Sequence, residues 1–201
     1  METWTVIFDI SKALPNKTVY NGKTYRLNLT LSNVLKVYGI LHEDEILSEE
    51  INAFALALLV KEKNPPPLLL EHIFNEYISI TKKSSRSTEL RIVDFRQDGI
   101  YLYSSFLQDY GIDLVKESRH MHWWKFVSLF QGLSEKTKMR EVMRIRCQKI
   151  PESNKNNTEY IANLIELKQY YALELSQSER ETNFKHGLAG LAETLKARAK
   201  A

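Results

Sequence analysis

The amino-acid sequence predicts a mainly α-helical protein: a helical bundle with a small N-terminal β-hairpin or short antiparallel sheet. Three observations carry that expectation. Apolar residues recur at helical spacing over most of the chain after Leu31. An Asn21-Gly22 pair stands between two β-prone runs near the start. Glycines, prolines and polar clusters cut the helical pattern into short pieces. The 201 residues fit one domain, or one domain with a small appendage, and 43% hydrophobic residues can fill a core.

In chain order, Thr5-Val6-Ile7-Phe8 is a short β-prone run. Thr18 to Tyr20, Asn21-Gly22 and Lys23 to Leu27 form the hairpin, because Asn-Gly accepts the positive φ of a type I′ turn. Ser32 can cap a helix through about Tyr38, with Gly39 ending it. Ser48 can cap the next, with Glu49 and Glu50 at its positive end and Ile51, Phe54, Ala55, Leu58 and Leu59 on one stripe. Asn64-Pro65-Pro66-Pro67 stops it. Pro67 can open a third helix with the stripe Leu69, Ile73, Tyr77 and Ile80.

Asp94 or Asp98 opens the following helix, which places Ile100, Tyr103, Leu107 and Tyr110 on one face and breaks at Gly111. Another spans roughly Arg119 to Gln131 and ends at Gly132. Ser134 starts one with Met139, Val142 and Met143 inward, ending near Pro151. Asn154 to Asn157 is a polar break, and Glu159 to Leu175 is a long amphipathic helix with Ile161, Leu164, Leu167 and Tyr171 on its stripe. The organisation expected is a hairpin-plus-helices part over 1–80, a flexible polar loop over 81–89, and a helical unit over 90–176 packed on the first part as one compact fold. Residues 177–201 form a helical or frayed tail, rich in Ala and Lys from Gly187 onward.

Bulk properties remove several function classes. The longest apolar run, Ala53 to Val60, is far short of the roughly 18 residues of a membrane span, so no membrane association is expected. The start lacks a basic region followed by an apolar stretch, and Cys147 is a lone cysteine, so a cytosolic protein is expected. In that compartment the Asn-x-Thr triplets at Asn16, Asn28 and Asn156 carry no meaning. The net charge of +3 is uneven: residues 1–80 carry 7 Lys and Arg against 10 Asp and Glu, and residues 81–201 carry 21 against 15. That gradient suits an acidic partner or head-to-tail self-association, and is too weak to suggest a nucleic-acid footprint.

Candidate chemistry concentrates between Asp94 and Arg146. The His120-x-His122 pair falls in a predicted helix, where residues two apart point about 200° from each other and cannot share one ion. On the same helix Trp123, Phe126, Val127, Leu129, Phe130 and Leu133 form one arc, and Trp124 falls outside it beside His120, Ser128 and Gln131. Trp124, His120, Gln131 and Trp123 are therefore the candidate partner-binding residues, since tryptophan is enriched at binding hot spots. Packing of Trp124 under a neighbouring segment is the competing expectation. Six cations from Lys136 to Lys149 are spread around their helix, a poor arrangement for tracking phosphates. Arg146 points inward with Met139 and Ile150 and needs a structural partner, for which Asp94, Asp98, Asp109 and Asp113 are candidates. No phosphate loop, nucleophile elbow or zinc motif occurs. Acidic pairs such as Glu49/Glu50 read as solvated charge, and Cys147 lacks a paired base. No catalytic residue, metal site or cofactor is expected, and hence no enzyme.

Several strings resemble a known family. They are Asp94-Phe95, Asp98, Tyr101-Leu102-Tyr103, Phe106-Leu107-Gln108, Tyr110-Gly111-Ile112-Asp113-Leu114, His122-Trp123-Trp124-Lys125-Phe126, Gly132-Leu133-Ser134, Thr137-Lys138 and Arg144-Ile145-Arg146. Together with the Val19-to-Tyr25 hairpin they resemble the bacteriophage gene-product-fifteen family, from tail-gene clusters of long-tailed phages of Gram-positive bacteria. The resemblance spans most of residues 14–175. It implies a tail assembly chaperone that binds the tape measure protein and keeps it soluble until the tail tube polymerises. It further implies contact with the tail tube protein, action in the host cytoplasm and absence from the mature virion. A structural tail or connector component is the alternative, and a nucleic-acid-binding regulator a more distant one.

Overall fold

A computed structural model describes residues 9–41, 48–79 and 92–174. The expected strand at Thr5 to Phe8, the polar stretch 81–89, Ile80, Leu175 and the tail 177–201 lie outside the described residues. The fold is mainly α-helical with one small hairpin. The hairpin pairs β1 (Lys17–Tyr20) with β2 (Lys23–Arg26), with Thr18 opposite Tyr25. Asn21 and Gly22 both have positive φ, 49° and 74°, which is the turn the Asn-Gly pair demands. Thr18 and Tyr25 face the core and Val19 faces solvent, following the two-residue strand period.

Helix α1 (Leu31–Leu41) runs longer than its sequence suggests. Gly39 lies inside it, at a place where an added Cβ would approach the Arg96 side chain at 3.8 Å. Nor does Ser32 cap it. The first-turn amides of Leu31 and Ser32 donate instead to the carbonyls of Met121 and Ser118, so a distant loop satisfies the donors a helix start leaves open. Helix α2 (Ser48–Leu59) begins where expected, although the side chain of Ser48 lies outside the described atoms. Its buried line is Ala55, Leu56 and Leu59, and Phe54, expected inward, is exposed. After the prolines, two successive turns lead into α3 (Leu69–Ile73), so Pro67 precedes the helix by two residues rather than opening it. A π-helical turn, Phe74–Ile78, extends α3 and swings Ile78 into the core.

Helix α4 (Gly99–Tyr110) ends at Gly111, which takes a left-handed φ of 64°. Its orientation reverses the expectation: Leu102, Ser105 and Phe106 are buried, and Ile100 and Leu107 face outward. The segment expected to form one helix from Arg119 divides into α5 (Leu114–Glu117), a loop, and α6 (Trp123–Gln131). Helices α7 (Lys138–Cys147) and α8 (Thr158–Tyr170) complete the order, each shorter than its pattern suggested.

Residues from both halves of the chain share one core. At its centre Phe126 stacks on Phe106 at 5.2 Å and on Trp123 at 5.5 Å, with Phe95 edge-on to Trp123 at 5.6 Å. Tyr38 closes this cluster from α1, and burial pushes its hydroxyl pKa up to about 12. A smaller cluster joins Val142 and Ile145 of α7 to Tyr171 after α8.

Candidate partner-binding surface

The His-Trp-Trp string is the first place to look for a binding surface, and most of it has structural work. His122 sits before α6 in extended backbone, not within a helix. Its Nδ1 accepts the amide of Trp124 at 3.1 Å and its Nε2 donates to the Pro15 carbonyl at 3.0 Å. Both ring nitrogens are therefore engaged, and the pair defines a neutral imidazole protonated on Nε2. Burial holds the His122 pKa below its ordinary 6.5, against the smaller opposing effect of the Pro15 bond. His120 lies in the exposed loop before it, so the helical geometry expected for the pair does not apply.

The two tryptophans close the π-helical turn. Trp123 donates from Nε1 to the Ile78 carbonyl at 3.1 Å, and Trp124 donates to the Tyr77 carbonyl at 2.8 Å. A helix end leaves its last carbonyls without intrahelical donors, and here two adjacent indoles satisfy two adjacent carbonyls. Trp123 is 1% exposed and presents no surface to a partner, which removes it from the expected binding set. Trp124 is half-buried and stacks on Tyr77 at 6.4 Å. It belongs to a belt of half-buried rings running Tyr20, His72, Tyr77, Trp124, His122. Gln131 lies two turns further along α6 and is exposed.

Arg146 meets Asp98. Its two terminal nitrogens donate to the two carboxylate oxygens, both at 2.7 Å, a bidentate fork fully inside the protein. The same guanidinium donates to the carbonyls of Ile92 and Tyr171, each at 2.7 Å. One side chain thus ties α7 to the start of α4 and to the chain after α8. The other aspartates weighed for that role hold local turns. Asp94 accepts the amides of Arg96 and Gln97, Asp109 accepts from Ser134, and Asp113 caps α5. The carboxyl of Asp113 is held below its usual range, chiefly by the Lys116 amide.

The basic stretch loses much of its charge to internal pairs. Lys138 bonds Glu141, Arg140 bonds Glu135, and Arg146 is consumed by Asp98. Cys147 is exposed at the end of α7. Among the described residues, no helix is long and apolar enough to cross a membrane.

The surface least explained by folding is on α8. This helix buries only Leu164, with Tyr171 just beyond it. Leu167, expected inward, is 41% exposed, Tyr170 is 75% exposed, and Tyr160 is exposed with its hydroxyl bonded to Gln148. At 100° per residue, Tyr160, Leu167 and Tyr170 fall within about 80° of one another, beside the buried line. The sequence did contain this signal: the apolar stripe is visible, and what is not visible is that α7 is the main packing neighbour of α8 among the described residues.

Residues 10–173 match the model of the family described as Bacteriophage Gp15 protein. The chain belongs to that family. It is a phage protein, and the match covers every helix from α1 to α8. The tail beyond residue 173 lies outside the family match. No curated protein and no solved structure proved similar to the chain.

Proposed function

We propose that this phage protein is a tail assembly chaperone that binds the tape measure protein, keeps it soluble until the tail tube polymerises around it, and then leaves. It works by binding and not by catalysis, and it acts in the host cytoplasm. The observation that carries this reading is the α8 face: Tyr160, Leu167 and Tyr170 stand in solvent beside a line of contact that buries a single leucine of the helix. Such a face can lie against the apolar stripe of an amphipathic helix. Two tyrosines and a leucine suit that contact, since aromatic side chains dominate binding energetics at low conformational cost. Weak contacts repeated by many copies along one long chain add through avidity. The half-buried belt through Trp124 is a secondary surface, because its indole nitrogen is already bonded within the fold.

Co-expression with the tape measure protein tests the proposal. The chaperone should raise the soluble fraction of that protein and co-purify with it, and a Leu167→Ser/Tyr170→Ser variant should do neither while remaining folded. If the parent chain fails on both counts, the reading is wrong. Mass spectrometry of purified particles addresses departure: the protein should be absent, and its presence at stoichiometric level would make it a structural tail component.

A further inference from the structure

We propose that the exposed face of α8 is half of a heptad seam, and that the partner segment it holds is an amphipathic helix whose apolar stripe is bordered on one side by lysine or arginine. This rests on the reading of α8 as the surface that binds the tape measure protein, and it adds what that surface selects.

The spacing defines the seam. Tyr160, Asn163, Leu167 and Tyr170 follow one another at intervals of three, four and three, the alternation by which one helix lies along another. All four are exposed within α8. At 100° per residue Asn163 falls between Leu167 and Tyr170, so it belongs to the same strip. Leu164 and Tyr171, each one residue after a seam position, are buried and form the border that faces the fold.

Charge is confined to the other border. Glu159 and Glu166 each stand one residue before a seam position, a heptad apart and about 10 Å along the axis. Both are exposed, and neither makes an ion pair or a side-chain hydrogen bond among the described residues. Nor does either have a lysine or arginine three or four residues away along α8 to offset it. Glu159, in the first turn, also suits the positive end of the helix; Glu166, in its middle, has no such local role. The lysine of α8, Lys168, is turned to the fold and donates to the Arg146 carbonyl at 2.7 Å. The charge left to the seam is therefore negative and on one side.

Those borders choose the occupant. Residues flanking a seam meet the flanking residues of the partner helix, where like charges repel and opposite charges fix the pairing. A second copy of α8 fits neither way. Antiparallel, it would set its own Glu159 and Glu166 against this pair. Parallel, it would have to offer the border of Leu164 and Tyr171, which is buried. A helix with lysine or arginine along one border of its apolar stripe meets neither obstacle. Asn163 adds selectivity, because a polar side chain within an apolar seam favours one register over the others.

Two synthetic helical peptides test this on the full-length chain. Both carry a leucine seam with one asparagine; lysine borders the seam in one and glutamate in the other. At about 50 mM salt the lysine-bordered peptide should bind at least about fivefold more tightly, and the margin should shrink at about 500 mM as the charges are screened. Glu159→Lys/Glu166→Lys should reverse the preference, and the altered residues are exposed, so circular dichroism should be unchanged. Leu167→Ser/Tyr170→Ser should abolish binding of both peptides. In a Cys147→Ser background, Asn163→Cys should react quickly with a maleimide in the free chain and slowly once the lysine-bordered peptide is bound. Equal affinity for the two peptides, a preference that survives the charge reversal, or binding that survives Leu167→Ser/Tyr170→Ser would overturn the proposal. So would an Asn163→Cys thiol shielded in the free monomer or shielded in a dimer, since those results give the seam to the chain itself or to a second copy. The chaperone reading fails separately. A chain that prefers the lysine-bordered peptide yet neither solubilises nor retains the tape measure protein keeps the seam and loses that partner. A tape measure protein captured equally by the parent and by Glu159→Lys/Glu166→Lys keeps the chaperone and overturns the charged border.

Discussion

Helices α6 and α8 are both amphipathic, and each has two adjacent aromatic residues at one end: Trp123 and Trp124 open α6, and Tyr170 closes α8 with Tyr171 directly after it. Their fates differ. In α6, Trp123, Phe126 and Val127 are buried, its Trp124 is bonded to Tyr77, and His122 just before the helix is bonded to Pro15. In α8 a single leucine is buried, and Tyr170 stands in water. The composition of a helix sets what it could bury; the number of neighbours decides what it does. Helix α6 is held among α1, the π-helical turn and α4, and its aromatic side chains were spent on folding. Among the described residues α8 has α7 on one side, and its remaining apolar face is exposed.

Substitutions can break this contrast or sharpen it. Trp123→Ala should cost the most, about 4–5 kcal/mol, because it opens a large cavity and strands the Ile78 carbonyl. A urea midpoint shift much smaller than that would mean that α6 is not the centre of stability. Arg146→Met should follow at about 3–4 kcal/mol, since Asp98 is left charged and unpaired inside the protein. Replacing Asp98 with leucine as well should recover part of the loss, and a double-mutant cycle measures how much.

His122 offers a pH-dependent test of the α6 end. Its folded pKa lies below its ordinary 6.5, so the folded state binds fewer protons than the unfolded one. Its contribution is present in full above pH 6.5 and is lost as pH falls through the lower folded value. His122→Ala should cost about 1 kcal/mol at neutral pH through loss of the cap. His122→Asn can still cap α6, and stability of that variant between pH 7 and 5 should fall less steeply than in the parent. Equal slopes would remove His122 as a titrating element. Smallest of all is the change expected on α8. Leu167→Ser with Tyr170→Ser should move stability by no more than about 0.5 kcal/mol, as for exposed sites generally, while capture of the tape measure protein is lost. A large stability loss there would show that α8 packs as α6 does.

Much of this fold was legible from the residues. The Asn21-Gly22 hairpin, the Gly111 break and the order of helices follow from backbone preferences that depend on few neighbours. Orientation was less legible. The stripe Ile100, Tyr103, Leu107 has ideal helical spacing, yet α4 turns its other side inward because that side carries Leu102, Phe106 and, above all, Asp98, whose guanidinium partner is far away in sequence. Gly39 has the look of a helix stop, but the carbonyls of Ser118 and Met121 accept the first amides of α1 and the helix continues through that glycine. The π-helical turn has no sequence signature of its own; it is visible only through the two indoles that meet its carbonyls. On α8 the sequence displayed the apolar face but could not say that, among the described residues, one side of the helix would be covered and Leu167 and Tyr170 left exposed.

The Arg146 fork has a further consequence, in time rather than in energy. It joins residues 48, 54 and 25 positions away along the chain, and loops of that length must close before any of its bonds can form. We therefore expect it to form late on the folding route, after the transition state is crossed. Arg146→Met should leave the folding rate near that of the parent and accelerate unfolding. The guanidinium then acts as a latch: it has little influence on how quickly the chain finds its structure and a large one on how long the structure lasts.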